Sequence, residues 1–384
     1  MSARRLSFTA FTALTALMVI VGACAAEGAG DRGQAAAAAG LPLLAGGQFP
    51  GIIVGFNPTN PPATTEAIEA RWQEALDAGM SVGRLQIDWD ELEPRPGEYD
   101  RDALEGRLAE YSRLGLRTFL LISVYDSYGP VVPGYLEGRA LDNDELIYRF
   151  NQLMDWVIPT LVAHGGYMIS VLNEADNSFG EIPGLHDQVL TFLTEAKRHI
   201  HSIDERMAVT ATVAEGNVGT GRPGVQALID ASDVACFNFY GAELTGEFPY
   251  YEPQGATAIR VDVERMLEIS GEKEVVIQEL GMFAGSDLLR SDEETQRRFF
   301  EVFFQEMERR ERIRAAYVFQ LVDWSPDVSA LMAEPLRAEE VPEDFVRVFT
   351  ESLETIGLIH YDDGTRKPAW DEFVRWVERF AGEG

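Results

Sequence analysis

The sequence predicts a single α/β domain whose eight parallel strands close into a (β/α)8 barrel. Strand-like and helix-like segments alternate with few exceptions from residue 51 onward. The strand-like runs are short, bounded by polar residues or glycine, and rich in valine, isoleucine and phenylalanine, which is typical of strands buried on both faces. Eight such runs alternating with helices favour a closed parallel sheet, and no internal repeat or second domain is visible.

The predicted elements follow one another in regular order. The strands are expected at 51–56, 81–87, 117–124, 167–172, 207–213, 234–239, 274–280 and 313–321. Amphipathic stretches, each long enough for about three helical turns, lie between them at 64–78, 102–114, 143–163, 185–203, 256–269 and 292–310. Glycines at 79, 115, 165 and 271 stand between a helix and the next strand, where a left-handed helix cap is expected.

The C-terminal part predicts an insertion after strand eight. An acidic stretch at 325–340 is followed by an extra helix-like segment at 343–356, and the closing helix is expected at 368–380. The loop after strand eight should therefore be the longest in the barrel. An open, doubly wound sheet is the competing fold, and it is less favoured because no glycine-rich phosphate loop follows strand one.

The first residues resemble a secretory signal. Arg4 and Arg5 precede an apolar run that ends in Val21-Gly22-Ala23-Cys24 and is short for a membrane span. This ending resembles the bacterial lipobox, so we expect 1–23 to be a signal peptide and Cys24 to be lipidated. Ordinary cleavage after a small residue, with Cys24 incidental, is the alternative. Residues 24–48 are mostly alanine and glycine and predict a flexible tether, which leaves 49–384 for the barrel.

Export, charge and cysteine content limit the partners. We expect a protein anchored to the cell membrane by its lipid, or an extracellular or periplasmic one. The formal net charge of −31 repels nucleic acid and anionic lipid, so neither is an expected partner. If Cys24 is acylated, Cys236 lacks a disulfide partner, and its apolar strand predicts a buried thiol. No Cys/His spacing typical of zinc sites occurs, and we expect a monomer without a cofactor.

Two glutamates end apolar strands on opposite sides of the predicted barrel. Strand four ends in Asn173-Glu174 and strand seven in Gln278-Glu279. In such barrels the functional site lies at the C-terminal ends of the strands, so both carboxyl groups can face one bound molecule. Hydrolysis of a glycosidic bond needs one carboxyl group to protonate the leaving oxygen and a second to attack the anomeric carbon or activate water. The alternative is that each glutamate only caps its strand or pairs with an arginine.

With these residues the chain resembles the clan A glycoside hydrolases, barrels whose two catalytic carboxylates close strands four and seven. Asn173-Glu174 matches the clan's Asn-Glu pair, and Glu279 within Ile277-Gln278-Glu279-Leu280-Gly281 matches its nucleophile. The resemblance implies that Glu174 is the acid/base and Glu279 the nucleophile of a retaining double displacement. It also implies that Asn173 holds the sugar hydroxyl next to the anomeric carbon.

Three further residues match the clan. Arg84 in strand two resembles the arginine near the nucleophile, and such a charge would keep Glu279 ionised. Tyr240 closes strand six, where clan members use a tyrosine to hydrogen-bond the nucleophile. Trp324 follows strand eight and resembles the tryptophan that forms the floor of the sugar site. The alternatives are a core-edge ion pair for the arginine, rim packing for the tyrosine and surface packing for the tryptophan.

The family within the clan is not assigned, because the sequence departs from the cellulase-like members of family 5. Those members often carry histidine after strand three and within strand six. Here strand three ends in Val124-Tyr125-Asp126, and strand six contains Asn238. Asp126 is a candidate substrate contact and equally a candidate loop cap.

The implied function is that of an exported β-glycosidase acting on β-linked oligo- or polysaccharides. A metal-dependent amidohydrolase on the same fold needs several histidines at strand ends, and the five histidines lie elsewhere: His164, His186, His199, His201 and His360. The alternative that stays open is a non-catalytic carbohydrate-binding or scaffold lipoprotein built on this barrel.

Overall fold

A computed structural model describes residues 53–56, 65–127, 129–245, 250–285, 288–338 and 341–382. The predicted signal peptide, Cys24 and the tether lie outside these described residues. Among the described residues, no helix is both long and apolar enough to cross a membrane.

Eight parallel strands form the centre of the molecule. They are β1 (Ile53–Phe56), β2 (Val82–Gln86), β3 (Arg117–Leu121), β4 (Met168–Asn173), β5 (Ala208–Ala214), β6 (Ala235–Tyr240), β7 (Val275–Gly281) and β8 (Ile313–Val318). Each strand pairs with the next, and β8 pairs with β1 through Ile53 and Ala315, so the sheet closes on itself. The predicted (β/α)8 barrel is confirmed, and each strand lies within two or three residues of its predicted bounds.

Burial of both faces of the strands stabilises the barrel. Every residue of β4 and of β7 is buried, including the polar ones near their C-terminal ends. One cluster of apolar side chains, with Phe119, Tyr167 and Tyr317 as its largest members, lies apart from the larger cluster that includes the helices. Cys236 belongs to this smaller cluster, and burial raises the pKa of its thiol to about 12.

Helices alternate with the strands around the barrel. They are α1 (Thr65–Asp77), α2 (Arg107–Arg113), α3 (Asp144–Ala163), α4 (Leu185–Ile203), α5 (Val225–Ala231), α6 (Ala256–Ile269), α7 (Glu293–Arg309) and α8 (Pro368–Gly382). Side-chain caps fix two of the starts: Asn143 accepts the backbone N–H groups of Glu145 and Leu146 before α3, and Asp292 accepts that of Thr295 before α7. The predicted helix at 102–114 divides into a π-helical turn (Asp102–Gly106) and α2.

The glycine caps show how the chain leaves its helices. Gly115 and Gly165 have φ angles of +76° and +80°, which side-chain-bearing residues rarely adopt. The left-handed turn directs the chain from the end of α2 and of α3 back towards the sheet.

The insertion after β8 contains more helix than the sequence analysis assigned. The acidic stretch forms two short helices, Pro326–Met332 and Glu334–Ala338, and the extra helix runs over Glu343–Leu353. These helices pack on Phe319 and Trp324 into a separate hydrophobic cluster. A buried ion pair of 2.6 Å between Asp323 and Lys367 joins the start of the insertion to the segment before α8. Two hairpins were also not predicted: Tyr125–Asp126 with Gly129–Pro130, and Ala242–Thr245 with Tyr250–Pro253.

Candidate active site

Glu174 follows directly after β4 at the C-terminal edge of the sheet. Its φ and ψ angles, +49° and +30°, are left-handed, which is uncommon for a residue with a side chain and frequent at functional sites. Its backbone N–H donates to the carbonyl oxygen of Thr212 on β5 at 2.8 Å. The strand therefore ends in a sharp, well-anchored turn, and the short helix Ala175–Ser178 follows it.

Neutral donors surround the carboxyl group of Glu174. Asn238 donates to Oε1 at 2.8 Å, while Asn177 and Ser127 donate to Oε2 at 2.9 and 3.1 Å. Burial, and next the negative charge of Glu279, raise the pKa of Glu174 to about 7 against the effect of these hydrogen bonds. A pKa in this range lets one carboxyl group act as an acid and as a base near neutral pH.

Glu279 on β7 has a cation as its partner. Arg84 donates from Nη2 to Oε1 at 3.0 Å, and Tyr240 donates from Oη to Oε2 at 2.6 Å. Arg84 and Glu279 are almost fully buried, with 0% and 1% of their surface exposed. Burial raises the pKa of Glu279, and Arg84 and Tyr240 act against that rise. The arginine and the tyrosine thus favour the charged carboxylate, the form that a nucleophile needs.

Arg84 is itself held in place from two sides. Its Nη2 also donates to Oε1 of Gln86 at 3.0 Å, and the hydroxyl group of Tyr111 donates to its backbone carbonyl oxygen at 2.8 Å. Gln86 lies two residues further along β2, so its side chain projects from the same face of the strand. Gln86 therefore holds the guanidinium group against the carboxylate on β7, and Tyr111 on α2 anchors the backbone of β2 at Arg84.

A bulge in β7 places two consecutive side chains in the site. The register with β6 shifts between Ile277 and Glu279, and the register with β8 shifts over the same stretch. Neighbouring residues of a regular strand point to opposite faces, and a bulge re-aims them. Gln278 consequently reaches Asn173, with its Nε2 donating to Oδ1 at 2.8 Å, while Glu279 reaches Arg84.

Asn173 lies fully buried at the centre of an amide network. Its Oδ1 accepts hydrogen bonds from Gln278 and from Asn238 at 3.1 Å, and its Nδ2 donates to Oδ1 of Asp126 at 3.0 Å. These contacts fix which end of the amide is the nitrogen. Burial raises the pKa of Asp126 well above its usual range.

The structure places five of the six predicted site residues in two hydrogen-bonded groups at the barrel mouth and the sixth beside them. Arg84 and Tyr240 contact Glu279, while Asn173 and Glu174 are joined through Asn238. Trp324 lies in the insertion's hydrophobic cluster with 3% of its surface exposed, and the half-buried Tyr240 packs against that cluster. This position leaves little of the indole accessible, so its role as a sugar floor stays a prediction with less support than the others.

Sequence reasoning did not assign Ser127, Asn177 or Asn238 to the site. Asn238 carried a usable signal, because it precedes Tyr240 by two residues in β6 and so shares its face of the strand. Ser127 lies in a turn after β3 and Asn177 in the short helix after β4, and neither segment is long enough to show a periodic pattern in the sequence. Within the described residues, no cluster of histidine, cysteine, aspartate and glutamate could hold a metal ion.

No protein-family model matches the sequence, and no curated protein matches it either. Solved structures do match. An exo-β-1,4-mannosidase from an Opitutaceae bacterium has a TM-score of 0.62 at 18% identity, covering 88% of this chain and 62% of that chain. A GH5_18 protein from Streptomyces cattleya, in complex with Manβ1-4GlcNAc, has a TM-score of 0.63 at 15% identity, covering 87% and 82%.

A family 39 glycoside hydrolase from Bacteroides cellulosilyticus also matches, with a TM-score of 0.56 at 14% identity over 85% of this chain and 63% of that chain. This chain thus spans less than two thirds of the length of the mannosidase and of the family 39 protein. The matching structures belong to more than one glycoside hydrolase family, and at these identities their similarity describes the fold. This chain shares the (β/α)8 barrel fold of these glycoside hydrolases, and that fold is the one the sequence predicted.

Proposed function

We propose that the chain is an exported retaining β-glycosidase with Glu174 as acid/base and Glu279 as nucleophile. The observation that carries the proposal is the pairing of two buried carboxyl groups with different partners. Glu279 contacts the guanidinium group of Arg84, and Glu174 contacts only neutral donors among the described residues. Arg84 thereby favours the anion of Glu279, while Glu174 has a pKa of about 7.

The reaction proceeds in two steps. Oxygen of the Glu279 carboxylate attacks the anomeric carbon, the glycosidic C–O bond breaks, and Glu174 gives its proton to the leaving oxygen. Water then attacks the glycosyl-enzyme ester, Glu174 takes a proton from that water, and Glu279 is released. Because the charge of Glu279 is a cause of the raised pKa of Glu174, its loss in the ester lowers that pKa and favours the base form.

The proposed substrates are β-linked oligo- or polysaccharides. The described mouth of the barrel carries the carboxyl groups of Asp126, Glu174 and Glu279, with Arg84 already paired to Glu279. Because Arg84 already pairs with Glu279, these residues offer no further cation to bind an anionic sugar, and the arrangement favours neutral ones. Two of the matching structures are, by their names, a mannosidase and a complex with Manβ1-4GlcNAc, so β-mannosides come first in the panel to be tested.

The test is hydrolysis of a panel of aryl β-glycosides and β-linked polysaccharides, with the first-formed product followed by proton NMR. We expect cleavage with retention of the anomeric configuration. Glu279→Gln should be inactive, whereas Glu306→Gln, which alters a buried, arginine-paired glutamate on α7, should retain activity. Inversion would contradict the nucleophile assignment. Binding without cleavage of any panel member would favour the non-catalytic carbohydrate-binding alternative.

Export forms the second part of the proposal. The basic start and the lipobox-like Val21-Gly22-Ala23-Cys24 support a lipid at Cys24 and a loose tether between that lipid and the barrel. A protein located outside the cytoplasm would meet polysaccharides directly, which fits the proposed substrates.

A further inference from the structure

The hydroxyl group of Ser127 lies between two carboxyl groups at the barrel mouth. Its Oγ is 3.1 Å from Oε2 of Glu174 and 3.2 Å from Oδ1 of Asp126. Ser127 is fully buried, so these protein contacts take the place of contacts with bulk water. Ser127 and Glu174 also share a left-handed backbone, with φ angles of +39° and +49°. Uncommon backbone conformations of this kind cluster at functional sites, so two of them in contact indicate a constraint that keeps the hydroxyl group close to the carboxyl group.

A hydroxyl group carries one proton and donates to one acceptor at a time. Oδ1 of Asp126 already accepts the amide of Asn173 at 3.0 Å, so this oxygen acts as an acceptor. The contact between Ser127 and Glu174 can then form in two ways. Oγ accepts a hydrogen bond from the neutral acid while its own proton points to Asp126, or it turns and donates to the carboxylate.

We infer that Ser127 is a positioning residue whose hydroxyl group reverses its hydrogen bond with the protonation state of Glu174. While Glu174 is an acid, Ser127 donates to Asp126; once Glu174 is a carboxylate, Ser127 donates to it. The inference rests on the proposed acid/base function of Glu174. The serine keeps its own proton throughout, since only its O–H bond turns when Glu174 delivers a proton to the leaving oxygen. Asp126 provides the alternative acceptor.

The other donors to Glu174 cannot reverse in this way. Asn238 and Asn177 contact it through amide nitrogens, which donate only. The amide of Asn238 is held in its orientation because its Oδ1 accepts a hydrogen bond from Gln278 at 3.3 Å. The two asparagines therefore favour the carboxylate form of Glu174 throughout the reaction. Among these three partners, the serine alone can hydrogen-bond both the carboxylate and the neutral acid.

Other charged groups act on the same carboxyl groups and stay unchanged in the test. Glu279 and Asp176 raise the pKa of Glu174, while Glu279 and Asp88 raise that of Asp126. Removal of the serine hydroxyl group leaves all of these charges in place. A shift of the pKa in a serine variant therefore reports the lost hydrogen bond.

The experiment compares Ser127→Ala and Ser127→Gly in the full-length protein. A hydrogen bond to the charged form is stronger than one to the neutral form, so both variants should raise the pKa of Glu174 by about one unit. Carbon-13 NMR titration of labelled glutamate carboxyl groups measures this, with Glu174→Gln identifying the signal. The glycine variant also removes the cost of the positive φ angle, so equal shifts exclude a backbone effect. Asp126→Asn keeps an acceptor oxygen and should not raise the pKa.

The same variants are assayed on dinitrophenyl β-glycosides. If deglycosylation limits turnover, the acid limb of kcat should move up by about one pH unit, with about a tenfold loss below it. A merely structural role would lower kcat at every pH without moving the limb. An unshifted titration in both serine variants overturns the inference, even where the wild type cleaves these substrates. A shifted titration in a protein that cleaves no glycoside supports the hydroxyl assignment and rejects the proposed function.

Discussion

Glu279 at the end of β7 lies beside a guanidinium group, whereas Glu174 at the end of β4 lies among amides and a hydroxyl group. Both carboxyl groups are buried in the same mouth, and burial raises the pKa of each. The difference lies in the neighbours: a cation stabilises the anion of Glu279, whereas the hydrogen-bond donors to Glu174 are neutral. The same residue type thus has a different electrostatic environment at each strand end, as the two proposed roles require.

Removal of the proposed nucleophile should have the largest effect. Glu279→Ala leaves no group to form the glycosyl ester, so kcat should fall by about 10⁴-fold or more on every substrate. Added azide or formate should restore part of the rate. Steady-state kinetics on aryl and natural glycosides measure the loss. Substantial activity of the variant without such additives would show that another group attacks the sugar.

Removal of the proposed acid/base should have an effect that depends on the leaving group. Glu174→Ala should lower the rate on natural glycans by about 10²- to 10⁴-fold, but formation of the glycosyl-enzyme from dinitrophenyl glycosides should persist, because that leaving group needs no proton. Azide replaces water without a base, so it should restore turnover and yield a β-glycosyl azide. If the rescue patterns of the two alanine variants are exchanged, the two roles assigned here are exchanged as well.

Tyr240→Phe tests the stabilisation of the anion. Loss of the 2.6 Å hydrogen bond should raise the pKa of Glu279 and lower kcat/KM by about tenfold. Activity needs ionised Glu279, so the acid limb of the pH profile should move to higher pH. Tyr167→Phe removes a hydroxyl group from the start of β4, at the opposite end of the barrel, and should leave the limb in place. A limb that moves in both variants would point to a general loss of structure.

The pH dependence of the wild type should separate the two glutamates without mutation. Glu174 has a pKa of about 7 and must be protonated to assist the leaving group. On natural glycans kcat/KM should therefore fall about tenfold per pH unit above about 7. On dinitrophenyl glycosides this alkaline limb should be absent, because no proton is needed. An identical limb on both substrates would contradict the assignment of Glu174.

The smallest effect on catalysis is expected for a substitution at Cys24, outside the barrel. Cys24→Ser should leave kcat/KM of the barrel unchanged and should prevent lipid attachment. Mass spectrometry of the mature protein and fractionation of membranes measure this. A mature N-terminus downstream of Cys24 in the wild type would contradict the lipoprotein proposal.

The sequence allowed the strand ends to be predicted because parallel strands finish at one edge of the sheet. Continuous apolar runs located β4 and β7, and the polar residues after them had to meet at that edge. This rule, together with the clan resemblance, predicted Glu174, Glu279 and Tyr240. Arg84 lies inside β2 and was predicted from the resemblance. Their separation, partners and burial came only from the structure.

Other parts of the site had no such rule. Ser127 contacts Glu174 because both residues have a left-handed backbone conformation. Neither residue is a glycine, and no periodic pattern of apolar residues predicts the two turns. The bulge at Gln278 likewise depends on pairing with two neighbouring strands. In the insertion, the short helix Pro326–Met332 begins after Ser325, which caps its N-terminus. The sequence analysis interpreted this acidic stretch as part of a loop and did not use the capping signal.

The parallel direction of the strands gives the barrel a front and a back. Chain that precedes β1 joins the barrel at the N-terminal edge of the sheet, and the two glutamates open at the opposite edge. A lipid at Cys24 would therefore be joined, through the predicted tether, to the edge of the barrel opposite the two glutamates. Because a flexible tether of this kind lets the barrel turn relative to the bilayer, a long polymer could reach the mouth from several directions.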